Sequence, residues 1–203
     1  ITVSPAATTT YNLLVTDANG CQNTASTTVT VNPVPNADAG VNQSICFGES
    51  TTLYATGGTN YIWSPGSITT PDYNITPASS GSYSVLVTNQ YGCTGTDQID
   101  VQVNPIPVAQ FVSSGSICED NTVTFTDQSA ITTGNISVWN WDFGNNVSST
   151  AQNPDIPYTD PGVYTVNLTV TSDNGCQHTI SSQQTIWATP ISQFASTSVC
   201  FGL

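Results

Sequence analysis

Six cysteines and a single histidine are the residues with the most distinctive chemistry in this sequence. The cysteines form two sets: Cys46, Cys118 and Cys200 follow Ser-Ile or Ser-Val, and Cys21, Cys93 and Cys176 follow a glycine. The sequence has no Cys-x-x-Cys motif, and His178 alone cannot complete a Cys/His zinc site. We therefore expect disulfides and an oxidising, extracellular location at a cell surface.

The carboxylates offer two further kinds of chemistry, acid–base catalysis and calcium binding. Asp142 is a weak candidate for a general acid because no partner carboxylate accompanies it, and His178 is expected on a strand surface with no nucleophile motif beside it. We therefore predict no catalytic residues and no enzyme activity. Glu119, Asp120 and Asp173 are weak calcium candidates, but the sequence has no EF-hand or nonapeptide calcium loop. No cofactor is expected, and calcium is the alternative left open.

The charge balance excludes several classes of partner. The chain of 203 residues has 13 acidic side chains and no Lys or Arg, which gives a formal net charge of −13. A polyanion without cations cannot neutralise phosphates or dock on anionic lipid, so nucleic acid and membrane surfaces are excluded as partners. The low charged fraction of 6%, with 37% hydrophobic residues, argues against disorder. Abundant Thr, Val, Ser, Asn, Gly and Pro favour strands and turns.

The cysteines lie at corresponding positions of internal sequence repeats. A segment that runs from a tyrosine to Gly-Cys recurs at 11–21, 83–93 and 164–176, and successive cysteines of one set lie 72 and then 82 or 83 residues apart. This period is typical of whole small sandwich domains. We divide the chain into the C-terminal part of a first repeat, two complete repeats and the start of a fourth, and interpret it as a piece of a longer repetitive chain. The boundaries are 1–35, 36–105, 106–190 and 191–203.

Apolar residues alternate with period two, and no helical period is sustained. Val123 and Phe125 are expected to point inward from one strand, and short strands separated by turns indicate an antiparallel two-sheet sandwich. The fold class is therefore all-β, with tandem immunoglobulin-like domains. Trp63 and one of Trp139 or Trp141 fit the core position of such domains, although an exposed row of tryptophans would favour sugar binding. The expected core residues are Trp63, Trp139, Trp141, Tyr83 and Tyr164.

Two segments resemble known families. The segments Trp139-Asn-Trp-Asp-Phe-Gly144 and Tyr158-Thr-Asp-Pro-Gly-Val-Tyr-Thr-Val-Asn-Leu-Thr-Val170 strongly resemble a PKD domain, although Gly144-Asn-Asn departs from the usual Gly-Asp-Gly. The second repeat, with Tyr61-Ile-Trp-Ser-Pro-Gly66, is similar to immunoglobulin-like repeats of Bacteroidetes surface proteins. Tandem arrays of both types resemble the giant adhesins of gliding bacteria that the type IX system secretes. The resemblance implies that Asp142 has a structural role in binding turn amides.

The immunoglobulin-like strand order A to G also bears on the cysteine pairing. Cys46 and Cys118 would lie at A–B turns, and Cys93 and Cys176 just after F–G turns at the opposite end of a sandwich. This arrangement favours an interdomain bond between Cys46 and Cys176, with the other four cysteines paired outside this sequence. The alternative is the intradomain bonds Cys46–Cys93 and Cys118–Cys176, which are the common type in immunoglobulin-like domains.

The sequence thus predicts a structural stalk or filament segment of a secreted bacterial adhesin. Its partners would be neighbouring repeats of the same chain, with lateral self-association into a filament and contact with surface glycans as further options. The alternative function is a carbohydrate-binding array attached to a secreted polysaccharide hydrolase.

We predict that trypsin leaves the chain uncut, even after denaturation, because the sequence contains no Lys or Arg. Mass spectrometry of the digest should return the intact mass of 21.3 kDa. An aromatic-specific protease is the control and should fragment the same denatured sample. A tryptic fragment with an internal terminus would contradict the prediction.

Overall fold

The computed structural model describes residues 1–115, 117–196 and 201, and the secondary structure among them is all β. The described residues include no helix long and apolar enough to cross a bilayer. The chain divides into two compact units, Ile1–Val103 and Asn104–Leu203. The expected all-β class and the immunoglobulin-like sandwich are confirmed, whereas the finer division into four parts stays a prediction.

Unit 1 contains a separate hairpin followed by a sandwich. The hairpin is β1–β2, and the sandwich has the sheet β3-β8-β7-β5 and the sheet β4-β6. Apolar residues of both sheets share one core, in which Trp63, Leu53 and Val85 are fully buried. The strands are β1 (Thr9–Thr16), β2 (Gln22–Val29), β3 (Gln43–Cys46), β4 (Thr51–Tyr54), β5 (Asn60–Ser64), β6 (Asp72–Ile75), β7 (Gly81–Thr88) and β8 (Thr94–Asn104), the last of which ends on the first residue of unit 2.

The hairpin β1–β2 repeats the sequence of β7–β8 but lacks a core. Leu13 and Val15 are 59% and 54% exposed, whereas Val85 and Val87 at the matching positions of β7 are fully buried. The alternation of apolar residues is the same in both strands, so the difference arises because no described strand packs against the hairpin face.

Unit 2 is a complete sandwich. One sheet has the order β10-β16-β15-β12-β13 and the other β14-β11-β9. All described pairings in it are antiparallel except β10 with β16, which is parallel. Its strands are β9 (Phe111–Ser113), β10 (Ile117–Cys118), β11 (Asn121–Asp127), β12 (Ile136–Asp142), β13 (Ser148–Ser149), β14 (Asp155–Tyr158), β15 (Gly162–Ser172) and β16 (Gln177–Trp187).

An aromatic cluster forms the centre of the core of unit 2. The rings of Trp141 and Phe143 stack at 5.7 Å between centroids, and Phe125 contacts both. Val123 and Phe125 of β11 are fully buried, as their alternation predicts. Aromatic rings bury large areas and prefer offset or tilted contacts, so this cluster contributes strongly to the stability of the unit.

Of the tryptophans expected in the core, one from each unit is fully buried. Trp63 on β5 and Trp141 on β12 are buried, and Trp139 is half-buried at the edge of the core. Trp187 is 60% exposed at the end of β16. Since two of the four tryptophans are interior, they cannot contribute to an exposed row. Tyr83 is buried, and the half-buried Tyr164 donates its hydroxyl to the Asp160 carbonyl at 2.9 Å.

We predict that Trp141→Ala lowers the free energy of unfolding by about 3–5 kcal/mol, because it removes a fully buried ring and leaves a cavity. Trp187→Ala is the matched control and should change it by less than about 0.5 kcal/mol, since this side chain is exposed. Urea denaturation followed by circular dichroism measures both values. Equal losses in the two variants would contradict the assigned core.

Candidate functional site: the cysteine turns

Cys21, Cys93 and Cys176 occupy three copies of one hairpin turn. In each copy, the residue four positions before the cysteine donates its backbone N–H to the cysteine carbonyl at 2.9–3.0 Å. A side-chain oxygen of that same residue accepts the cysteine N–H at 2.9–3.1 Å. The capping residues are Asp17, Asn89 and Ser172. The glycine before each cysteine has a φ of +82° to +85°, which L side chains rarely adopt, so the turn requires glycine there.

A second kind of turn holds the other cysteines of the described chain. Cys46 ends β3, donates its N–H to Glu49 Oε2 at 2.9 Å and accepts the Glu49 N–H at 3.0 Å. Gly48 in this turn has a φ of +84°, and Asp120 takes the same position after Cys118 with a φ of 63°. Aspartate tolerates this left-handed conformation better than most residues. Both turns therefore share a left-handed residue two positions after the cysteine despite their different sequences.

Each set contains both bonded and free cysteines, and their distribution tests the intradomain alternative. Among the described residues, the disulfide-bonded cysteines are Cys46 and Cys176, and Cys21, Cys93 and Cys118 carry free thiols. The intradomain bonds Cys46–Cys93 and Cys118–Cys176 each need a cysteine that is free here, so that alternative is wrong. Cys200 lies outside the described residues.

The geometry of unit 2 explains why Cys118 and Cys176 are not bonded to each other. Cys118 pairs with Trp187, the last residue of β16, whereas Cys176 directly precedes Gln177, the first residue of that strand. A strand of 11 residues spans about 35 Å at 3.2–3.4 Å per residue. A disulfide requires Cα atoms within about 7 Å, so these two cysteines cannot bond within one folded unit.

The calcium candidates lie in these same turns and do not meet within unit 2. Glu119 Oε1 accepts the Thr189 N–H at 2.9 Å, and Asp173 accepts the Asn135 N–H at 3.3 Å near the opposite end of β16. Across the described residues, no group of three or more His, Cys, Asp or Glu side chains is placed to hold a metal ion. Calcium binding between repeats stays a prediction.

His178 and Asp142 both have structural contacts. His178 lies exposed on β16, and its Nδ1 accepts the N–H of the buried Ala109 at 2.9 Å, which holds the segment that leads into β9. Asp142 ends β12 and accepts the Gly144 N–H at 3.0 Å, as the family resemblance implies for this residue. Sequence reasoning missed the link between His178 and Ala109 because the two residues lie 69 positions apart and share no motif.

The buried phenol of Tyr158 in unit 2 has a raised pKa. Its hydroxyl donates to the Phe143 carbonyl at 3.2 Å, and its ring lies 4.7 Å from that of Tyr164. Burial, as the largest cause, together with the neighbouring Tyr164 and Asp142, raises the pKa of Tyr158 to about 12. The buried position disfavours the phenolate because it cannot be hydrated there.

The sequence comparisons agree with the architecture of unit 2. Residues 104–187 match the family model for the PKD domain. Unit 2 carries a PKD domain. The expectation from the Trp-Asp-Phe-Gly and Pro-Gly-Val-Tyr segments is thereby confirmed for this part of the chain. Nothing in this match concerns adhesins or a secretion system.

Two relatives come from a protease precursor of Vibrio cholerae. The chain is 40% identical to the pre-pro-metalloprotease PrtV of serotype O1 strains over 101 residues. This match covers 48% of this chain and 10% of PrtV. The crystal structure of the PKD1 domain of PrtV is 37% identical, with a TM-score of 0.37, and the match covers 40% of this chain and 96% of that domain. The chain thus spans about a tenth of the curated relative.

A third similarity concerns the fold alone. The N-terminal eight Ig domains of Down Syndrome Cell Adhesion Molecule are 12% identical, with a TM-score of 0.54, and the match covers 87% of this chain and 35% of that chain. This similarity supports the immunoglobulin-like architecture of the chain.

We predict that stability falls between pH 10 and 12 partly through Tyr158. A tyrosine ionises near pH 10 in the unfolded chain, whereas folded Tyr158 holds its proton to about pH 12, so the unfolded state gains stability as the pH rises. Tyr158→Phe removes this contribution. This substitution also lowers the free energy of unfolding by about 1 kcal/mol at all pH values below 10, because the buried Phe143 carbonyl loses its hydrogen-bond donor.

The measurement is urea denaturation of both proteins from pH 7 to pH 12. The difference in unfolding free energy between wild type and Tyr158→Phe should be constant up to pH 9 and then shrink. A constant difference through pH 12 would show that Tyr158 titrates normally.

Proposed function

We propose that this chain is a non-enzymatic structural segment of an extracellular fibre, in which immunoglobulin-like repeats are joined end to end by disulfides. The observation that carries the proposal is the division of the cysteines: Cys46 and Cys176 are bonded, and Cys93 and Cys118 are free. We infer that Cys46 and Cys176 bond to each other. That bond ties the A–B turn of the second repeat to the F–G turn of the third.

Such a bond would change the mechanics of the joint. A short Pro-containing linker, such as residues 105–107 after β8, leaves two domains free to rotate relative to each other. A covalent bond across the joint removes most of this freedom and carries tension from one repeat to the next. A spacer that holds a distal tip away from a surface needs both properties.

If every joint is bonded as Cys46 and Cys176 are, the disulfide pairing has a direction along the fibre. Each A–B cysteine would bond to the F–G cysteine of the following repeat, so Cys118 would take a partner from a repeat on the C-terminal side. Cys21 and Cys93 would take partners from repeats on the N-terminal side, and Cys200 would act like Cys46 and Cys118. The free, exposed state of Cys21 and Cys118 supports this assignment.

The finer identity of the fibre follows the resemblance described for the sequence. We propose a surface adhesin of the Bacteroidetes type, exported by type IX secretion and connected with gliding motility. An oxidising location suits the disulfide, and the lack of Lys and Arg protects an exposed chain from trypsin-like proteases. Neighbouring repeats are the proposed partners, and side-by-side packing of fibres is a further option. The protease activity named for PrtV belongs to a protein of which this chain covers 10%.

We predict that Cys46→Ser and Cys176→Ser each loosen the joint without unfolding either unit. Spin labels on one exposed site of each unit, read by double electron–electron resonance, should give a narrow distance distribution in wild type. The distribution should broaden in both variants and in wild type treated with a reductant, while circular dichroism stays unchanged. Cys93→Ser is the matched control and should keep the narrow distribution, because its thiol is already free.

Peptide mapping under non-reducing conditions identifies the bond itself. After alkylation of free thiols and digestion with pepsin at low pH, one linked peptide pair should contain Cys46 and Cys176. A narrow distribution in Cys46→Ser, or a linked pair with any other partner for Cys46, would overturn the proposed joint.

A further inference from the structure

A groove of about 280 Å³ lies on unit 2 beside the loop that connects β11 to β12. Its lining includes Asp127, Ser129, Ile131, Asn135, Trp139 and Gln152, none of which contributes to the cysteine turns. Pockets for drug-sized ligands have volumes of roughly 300–1,000 Å³, so this groove suits a single small ring with part of the ligand left in solvent.

Asp127 fixes the walls of the groove. Its Oδ2 accepts the Trp139 Nε1–H at 2.7 Å and an amide hydrogen of Gln152 at 3.0 Å, and its Oδ1 accepts the Ser129 N–H at 2.9 Å. Burial raises the pKa of Asp127, but the hydrogen bonds from Ser129, Gln152 and Trp139 outweigh burial and lower it overall. The carboxylate is therefore ionised at neutral pH and holds the indole and the amide in place before any ligand arrives.

The groups left for a ligand are an aromatic surface and two neutral amides. Trp139 is half-buried, so part of its ring packs on the core and part lines the groove. Gln152 donates its amide hydrogen to Asp127, which directs its carbonyl oxygen away from that bond. The backbone of Asn135 is held by Asp173, through bonds of 3.3 and 2.9 Å, and its exposed side chain remains available.

This set of groups fits a neutral sugar ring. An aromatic ring offers a flat surface for the apolar face of a pyranose, and fixed amides hydrogen-bond its hydroxyls. Anionic ligands are disfavoured because Asp127 lies in the groove, Asp173 lies beside it, and the chain has a net charge of −13 without Lys or Arg. Asp127 already accepts three donors, so little of its capacity remains for an ammonium group.

We propose that this groove binds one neutral pyranose unit of a glycan, with Trp139 as the stacking surface and Gln152 and Asn135 as hydrogen-bonding groups. The proposal is independent of the disulfide-joined fibre and adds a glycan contact to a repeat that otherwise acts as a spacer. Its failure would leave the fibre proposal intact.

The test is a titration of the whole chain, labelled with ¹⁵N, against methyl β-glucopyranoside, N-acetylglucosamine, glucuronic acid and tetramethylammonium chloride. At least one of the two neutral sugars should give saturable shifts at the Trp139 indole and the Ser129 and Asn135 amides, with a dissociation constant on the order of 1–10 mM. Glucuronic acid should bind at least about tenfold more weakly because of the like charge. Tetramethylammonium should leave these signals unchanged.

Single substitutions assign the contacts. Gln152→Ala and Asn135→Ala should each weaken binding about two- to tenfold, which corresponds to the loss of one hydrogen bond. Gln183→Ala is the matched control, since it removes an exposed glutamine from β16 outside the groove, and it should not change the affinity. Trp139→Phe keeps an aromatic ring but loses the donor to Asp127, and its fold is checked separately by circular dichroism.

Three results would overturn the proposal. The first is no saturable shift with either neutral sugar up to about 100 mM, well above the expected dissociation constant. The second is binding of tetramethylammonium but not of the sugars, which would make the groove a cation site. The third is an equal loss of affinity in Gln183→Ala and Gln152→Ala, which would place the binding outside the groove.

Discussion

Every carboxylate of this chain must be stabilised without Lys or Arg. The fold meets this constraint for eight of the 13 carboxylates with backbone N–H groups, either of the residue's own turn or of a distant segment. Such charge-assisted hydrogen bonds are roughly twice as strong as neutral ones. The carboxylates bound in this way are Asp17, Asp38, Glu49, Asp97, Glu119, Asp127, Asp142 and Asp173. The effect on titration is seen at Asp97, whose pKa is lowered by hydrogen bonds from the Ala39 and Gln98 backbone amides. Five of these residues, Asp17, Asp38, Glu49, Asp127 and Asp142, cap their own turns, and the other three tie together segments that are distant in sequence.

The cysteines depend on these capped turns. Asp17, Asn89 and Ser172 differ in charge, yet each binds the cysteine N–H four residues later, so the hairpin keeps its form whether the thiol is free or bonded. Each thiol is therefore held in place by the turn before oxidation, and a bond that forms there needs little further ordering of the chain. The 11 residues of β16 then keep the two kinds of turn of unit 2 at opposite ends of the sandwich, too far apart for Cys118 and Cys176 to bond within it.

The sequence predicts well what depends on neighbouring residues and poorly what depends on distant ones. Alternation places Val123 and Phe125 inward and leaves the core position open between Trp139 and Trp141, and the glycine before each cysteine marks the hairpins. A short strand such as β14 carries little sequence signal, because it has four residues and contains Pro157, which an edge strand tolerates. The groove was not predicted either, since Asp127 meets Trp139 and Gln152 from positions 12 and 25 residues away. A pattern read along one strand carries no information about such contacts.

The cysteine turn and the groove of unit 2 share a structural element. Asp173 lies in the turn that holds Cys176, and it binds both backbone groups of Asn135, which lines the groove. Gly134 is part of this contact, because a Cβ at that position would come within 2.9 Å of Asp173 Oδ1. Ile136, which also lines the groove, pairs with Ser172 of the same turn, so two adjacent contacts link the cysteine turn to the loop of the groove.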